Sequence, residues 1–286
     1  MQVFVNSAQH LHRGRQEMFR GQWVPCVETP ERQQHVLDEL RRRGLGRMRE
    51  PDAIDAQRLA RVHTATYLAF LEGAWDAWVA LDAGNADVDV LPSVWPARGM
   101  RHDRLPDNLS ARVGLYCFDA GSPLTAGTWA AARAGAACAV SAALSLLDGS
   151  GGADRSAFAL TRPPGHHAGA DFYGGYCFLN NAALAAQALR DAGLPRVAIL
   201  DVDYHHGNGT QSLFYERDDV FTLSIHGDPR TEYPFFLGHA DERGQGAGLG
   251  FNLNLPLPRG TDFSAWRAAL LPALQVLRDF DAQALV

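Results

Sequence analysis

Residues 197–210 read V-A-I-L-D-V-D-Y-H-H-G-N-G-T, an apolar run that turns abruptly into acids, histidines and glycines. Along an extended chain successive side chains alternate, so Asp201, Asp203 and His205 would share one face, and Val202 and Tyr204 the other. A carboxylate and an imidazole two residues apart on one face converge on a single cation. Oxygen plus nitrogen donors suit a borderline metal such as zinc, which acidifies water enough to attack a carbonyl near neutral pH. A second histidine pair, His166-His167, stands in T-R-P-P-G-H-H-A-G at 161–169. Adjacent loop residues point in different directions, so one imidazole can act as general base and acid while a carboxylate holds the other. Asp201 is a candidate for that carboxylate, raising the basicity of a histidine; the alternative is a structural carboxylate that takes loop amides. Gly207 and Gly209 permit a sharp exit from the strand.

These groups need elements that carry them to one place. Val197–Leu200 reads as a buried strand of a parallel sheet, and open α/β sheets bind ligands at the carboxyl ends of their strands. Gln2–Val5, Ala157–Leu160, Val220–Ile225, Phe251–Leu255 and Ala282–Val286 read as further strands. Helices are expected from Pro30, with Thr29 as cap, to about Arg43, and as two segments across 52–81. Others are expected at Thr125–Leu147, Cys177–Asp191, Gln211–Glu216 and Asp262–Phe280, the last with Pro272 inside. A glycine-rich break is expected at 149–152. Residues 83–109, rich in Asp, Gly and Pro, read as a long loop of the kind that carries function or an interface. Alternating strands and helices predict an α/β fold, a mostly parallel central sheet with helices on both faces and no internal division.

Composition narrows the functional classes. The 286 residues carry a net charge of −6, and all 26 basic residues are arginine. Phosphate-backbone binding needs a basic surface, so nucleic acid is not an expected partner. No apolar run reaches the length of a membrane span, and no signal peptide is legible, which predicts a cytoplasmic protein. Cys26, Cys117, Cys138 and Cys177 have no metal-ligand spacing and are expected to be reduced thiols.

Four long words in order, R-P-P-G-H-H-A-G at 162–169, G-G-Y-C-F-L-N-N-A-A at 174–183, L-D-V-D-Y-H-H-G-N-G-T-Q at 200–211 and S-I-H-G-D-P at 224–229, are similar to the histone deacetylase superfamily. The resemblance is strongest to its bacterial class-II-like and acetylpolyamine amidohydrolase branch. It implies an arginase-like α/β fold and zinc-dependent removal of an acetyl group from an acylated amine, either an acetylpolyamine or an acetyl-lysine peptide. By the same resemblance Asp203 and His205 are zinc ligands, His167 is the proton shuttle, and His166 is electrostatic and oriented by Asp201. Asn208 replaces an Asp that many members carry as partner to the second histidine. Gly175 and Tyr176 match a wall of the acyl channel, faced by Phe235 or Phe236. Carbonyls near Asp201 and Ser224 match a structural potassium site, and the 83–109 loop matches a homodimer interface.

Two departures stand out. The family's third zinc ligand and its oxyanion-stabilising Tyr would both fall past Val286, so the sequence reads as a truncated chain. The positions that carry polyamine-binding acids in that branch hold Ser110 and Gly121, with Asp107 and Asp119 nearby. A binuclear manganese ureohydrolase on the same fold would want an Asp at position 207, which is glycine. A catalytically dead module that only binds acylated amines is the other alternative. Purified residues 1–286 with added zinc are expected to be inactive or poorly folded; normal turnover of an acetyl-lysine fluorogenic peptide would contradict this.

Overall fold

The computed structural model describes residues 1–147 and 155–286; the break expected at 149–152 lies outside them. The strands are β1 (Gln2–Val5), β2 (Gln16–Phe19), β3 (Gln22–Pro25), β4 (Arg47–Arg49), β5 (Ala157–Leu160), β6 (Val197–Asp201), β7 (Val220–Gly227), β8 (Asn252–Leu257) and β9 (Ala284–Leu285). The helices are α1 (Glu31–Arg42), α2 (Ala56–Leu59), α3 (Ala65–Leu81), α4 (Leu109–Tyr116), α5 (Thr128–Leu144), α6 (Asn181–Asp191), α7 (Asn208–Phe214) and α8 (Phe263–Asp279). Two parallel sheets, β4-β1-β5 and β8-β7-β6-β9, carry the α/β core, and β2-β3 is a separate antiparallel hairpin.

Strand alternation explains the layers around β6. Val197 and Ile199 pack with Ala139 and Ala143 of α5 and with Ala183, Ala186 and Leu189 of α6. Ala198 faces the opposite way, with Phe221, Leu223 and Ile225 of β7, against Ala273 and Leu277 of α8 and Phe280. A strand buried on both faces needs the continuous apolar run seen in the sequence. Small alanines let α5 and α6 lie close together, and each large side chain buried contributes about 1.5–3 kcal/mol.

Several elements differ from expectation, each for a local reason. The segment 177–180 is not helix; α6 begins where the Asn180 side chain accepts the Ala183 amide. Helix α7 starts earlier than expected, at Asn208, and α1 starts after Pro30 without a side-chain cap from Thr29. The 83–109 segment contains a short 3-10 turn at Ala83–Asp87. After it Asn108 caps α4, which apolar periodicity over eight residues was too short to reveal. The β2-β3 hairpin also lacks a strong apolar pattern, since most of its residues are exposed.

Parallel pairing puts the carboxyl ends of β6 and β7 on one side, the His166–Asp201 hydrogen bond brings the loop after β5 to them, and the chemical words follow those three strands. The loop after β5 is fastened by buried Arg162. Its Nε donates to Glu28 Oε1 (2.7 Å), Nη2 to the Glu28 carbonyl (3.1 Å) and Nη1 to the Gln9 carbonyl (2.6 Å). Burial pushes the Glu28 carboxyl up, against the pull of Arg162. His63 fixes the far end of the loop: Nδ1 donates to the Gly169 carbonyl (2.8 Å) and Nε2 accepts the Asn180 amide (3.0 Å).

Two buried histidines outside the chemical cluster set an acid limit on stability. Burial, then the Arg162 charge, lowers His12 to about 3; burial lowers His63 to about 4, the Gly169 carbonyl opposing it. Their folded pKa values lie below the unfolded one, so the unfolded chain takes up protons first. The stability they allow is full above about pH 6.5 and falls as pH drops toward 4, roughly 2 kcal/mol per histidine by pH 5. His63→Gln keeps a donor and an acceptor at this site. Its unfolding free energy, from urea titrations at pH 6.5 and 5, should fall less steeply than wild type by about one proton's worth; equal slopes would contradict the assignment.

Candidate functional site

β6 ends at Asp201, so the alternation expected through His205 does not operate. The convergence has another cause. Asp201 Oδ1 accepts the Asp203 amide (3.0 Å), and Asp203 Oδ1 accepts the His205 amide (2.8 Å). Each carboxylate captures the N–H two residues on, two successive Asx turns. Asp203 Oδ1 and His205 Nδ1 come within 3.4 Å of one another, with side chains 52% and 44% exposed.

The tandem histidines stand beside this pair. His166 Nδ1 donates to Asp201 Oδ2 (2.8 Å) and His167 Nδ1 to Asn208 Oδ1 (2.6 Å). The two rings lie 4.0 Å apart, and the His167 ring is 6.2 Å from that of His205. Each histidine thus has one nitrogen engaged, by partners of different charge. Burial disfavours an imidazolium at His166, but the charge and hydrogen bond of Asp201, with Asp203 beyond, outweigh it and raise its pKa. Burial, reinforced by His166, holds His167 well below its ordinary value, and the neutral Asn208 amide compensates only partly. At Asp203 burial works the other way, yet the His205 hydrogen bond and the His166 charge keep its carboxyl well below the usual range.

Two glycines make room for this packing. A Cβ at Gly207 would lie 2.4 Å from Asp201 Oδ2, and one at Gly175 would lie 2.1 Å from His167 Cδ2. Gly207 has an ordinary φ of −75°, so its role is close approach, not the sharp exit expected of it. Gly175 (φ 54°) and Tyr176 (φ 65°) are both left-handed, a turn that lays Gly175 on the His167 ring.

An aromatic ring that meets the histidines is Tyr233. Its ring stands edge-on to His167 (5.1 Å) and His205 (5.7 Å). Phe235 and Phe236, expected to face the channel, are 47% and 88% exposed; the Phe235 ring meets Tyr233, and the Phe236 ring meets Phe235. A left-handed Phe235 (φ 73°) turns the chain outward there. The T-E-Y-P-F-F run signals an aromatic wall but not which ring faces in. Glu17, on the β2-β3 hairpin, had no sequence signal. It is 4% exposed, Oε1 accepts the Tyr176 hydroxyl (3.0 Å), and Oε2 is buried with no hydrogen-bond partner. Burial raises its pKa. Asp107 is exposed, whereas Asp119 is engaged with Gly121, Gly175 and Tyr233.

Asp203 and His205 offer an oxygen and a nitrogen donor, and their chemistry fits zinc. Among the described residues no group of three or more His, Cys, Asp or Glu is arranged to hold a metal, whereas a zinc centre normally has three protein ligands. A small cavity of about 10 Å³ adjoins Asp201, lined also by His206, Gln211, Ser224, Asn252 and Asn254.

Parallel strands with paired histidines and an Asp-x-His at their carboxyl ends define a class. Residues 26–286 match the histone deacetylase domain, and the chain belongs to that family. Members of this family use a metal ion in catalysis. The chain is 49% identical to acetylpolyamine amidohydrolase 2 of Pseudomonas aeruginosa, over all of this chain and 81% of that protein. It is 43% identical to the acetylpolyamine amidohydrolase of Mycoplana ramosa, over all of this chain and 82% of that one. The crystal structure of acetylpolyamine aminohydrolase from Burkholderia pseudomallei superposes with a TM-score of 0.92 at 40% identity, covering 100% of this chain and 80% of that one.

If Asp203 and His205 hold the metal, Asp203→Ala and His205→Ala should each weaken zinc binding at least about tenfold in competition with a chromogenic chelator. Asn208→Ala should change it little. Unchanged binding in the first two variants would place the metal elsewhere.

Proposed function

We propose that the protein is a zinc-dependent amidohydrolase that removes the acetyl group from acetylated polyamines. The observation that carries this is a pair of imidazoles, one held by a carboxylate and the other by an amide, beside an oxygen–nitrogen donor pair. The names of its relatives point to the same substrate class. Zinc held by Asp203 and His205 would polarise the amide carbonyl and acidify water.

The protein's own residues supply the proton handling. His167 is neutral near pH 7 because of its burial, and its Nδ1–H is committed to Asn208. Its Nε2 therefore takes the proton of the attacking water and delivers it to the departing amine nitrogen. His166, held by Asp201 and favoured as imidazolium, stabilises developing negative charge without exchanging that proton. Gly175, Tyr176 and Tyr233 line the channel for the acyl amine. Glu17, with one buried oxygen unpartnered, receives an ammonium of the polyamine; a cation there relieves the burial that raises its pKa. A potassium ion held by carbonyls near Asp201 and Ser224 would brace the loop. The 83–109 segment, with Trp95 and Met100 exposed, is the face for a second copy. No helix among the described residues is long and apolar enough to cross a membrane.

The test is acetate release from N-acetylputrescine by the protein expressed from its native gene, with zinc and with a chelator. Turnover that chelation abolishes and zinc restores is expected. Glu17→Gln should raise KM for N-acetylputrescine about tenfold, since a charge-assisted hydrogen bond contributes on the order of 1.5–3 kcal/mol. It should leave KM for uncharged N-acetylbutylamine nearly unchanged. Equal effects on both substrates would remove the ammonium role, and preference for an acetyl-lysine peptide would move the substrate class to lysine side chains.

A further inference from the structure

One carboxylate oxygen joins three parts of the chain around His167. Asp119, just after α4, accepts the Gly175 amide (2.6 Å) and the Tyr233 hydroxyl (2.7 Å) on the same Oδ2. Its Oδ1 accepts the Gly121 amide (3.0 Å), which fixes the carboxylate's own orientation. Gly175 lies against one side of the His167 ring, as the 2.1 Å approach of an added Cβ indicates. Tyr233 stands on another side, perpendicular to both His167 and His205 with interplanar angles of 87°. Phe118, next to Asp119 in sequence, stacks on Tyr233 (6.0 Å) and meets the His167 ring edge-to-face (6.4 Å).

We infer that Asp119 is a positioning residue that sets the width of the acyl channel, and hence the acyl length accepted, by tying Tyr233 and the Gly175–Tyr176 turn together across His167. This rests on the amidohydrolase reading for what enters the channel. Hydrogen bonds to an ionised carboxylate are short and about twice as strong as neutral ones. Tyr233 is kept a neutral donor, because burial and the Asp119 charge both raise its pKa. A phenylalanine in its place would keep the ring and its stacking on Phe118 and lose only the tether. The tether holds the Tyr233 ring at a fixed distance from Gly175, leaving a slot for a short acyl group. Released, the ring can swing from the slot and admit two further methylenes.

The experiment compares wild type, Tyr233→Phe and Asp119→Asn, each checked for folding by circular dichroism, on N-acetyl- and N-butyrylputrescine. Both kcat/KM and equilibrium binding by calorimetry are measured. The butyryl-to-acetyl ratio should rise at least about tenfold in either variant, the scale at which pocket size discriminates methylenes. A merely structural role would lower both substrates together and leave the ratio unmoved, and that result overturns the inference while turnover by wild type keeps the proposed reaction. Binding that discriminates acyl length and shifts in the variants, without hydrolysis of either amide, overturns the reaction and keeps the inference. Wild type that neither binds nor hydrolyses either amide overturns both.

Discussion

The site depends on how the carboxylate of Asp201 divides its two oxygens. One accepts from His166 Nδ1, and the other accepts the amide of Asp203. The first fixes an imidazole on the loop after β5; the second starts the turn that folds Asp203 back and, through the next amide, His205. A single side chain at the end of a strand therefore ties two loops into one cluster. The strand that carries it is buried on both faces, so the cluster rests on a rigid support.

Around that anchor the two histidines become different reagents, although they are neighbours in sequence. Asp201 offers a charge and Asn208 a dipole, and the pKa values separate accordingly. Like charge between touching rings widens the gap, since protonating one penalises the other. Paired titratable groups pushed apart by their surroundings are a general route to dividing acid, base and electrostatic roles. The glycines at 175 and 207 are part of the same constraint, because a methyl group at either would displace His167 or Asp201.

Much of this was legible in the sequence. Buried strands announce themselves as apolar runs, and the chemical words directly after them marked β5, β6 and β7 as the bearing elements. The family resemblance correctly anticipated histone deacetylase membership. Contacts of long sequence separation were not legible. Glu17 meets Tyr176 across 159 positions, and Tyr233 meets Asp119 across 114, from an exposed hairpin and an irregular loop without periodic pattern. Extended geometry predicts a convergent Asp203 and His205, whereas hydrogen bonds from backbone amides to carboxylates bring them together. Asx turns depend on side-chain rotamers and leave no periodic trace. The helix α4 and the hairpin β2-β3 escaped because short, half-exposed elements carry too few apolar positions to set a period.

The central claim is that Asp203 and His205 together face one metal ion beside His166 and His167. X-ray absorption at the zinc edge of the zinc-loaded protein tests it most directly. The account predicts oxygen and nitrogen neighbours, the multiple-scattering signature of imidazole, and loss of that signature in His205→Ala. Sulfur neighbours, or an imidazole signature that persists unchanged in His205→Ala, would contradict it.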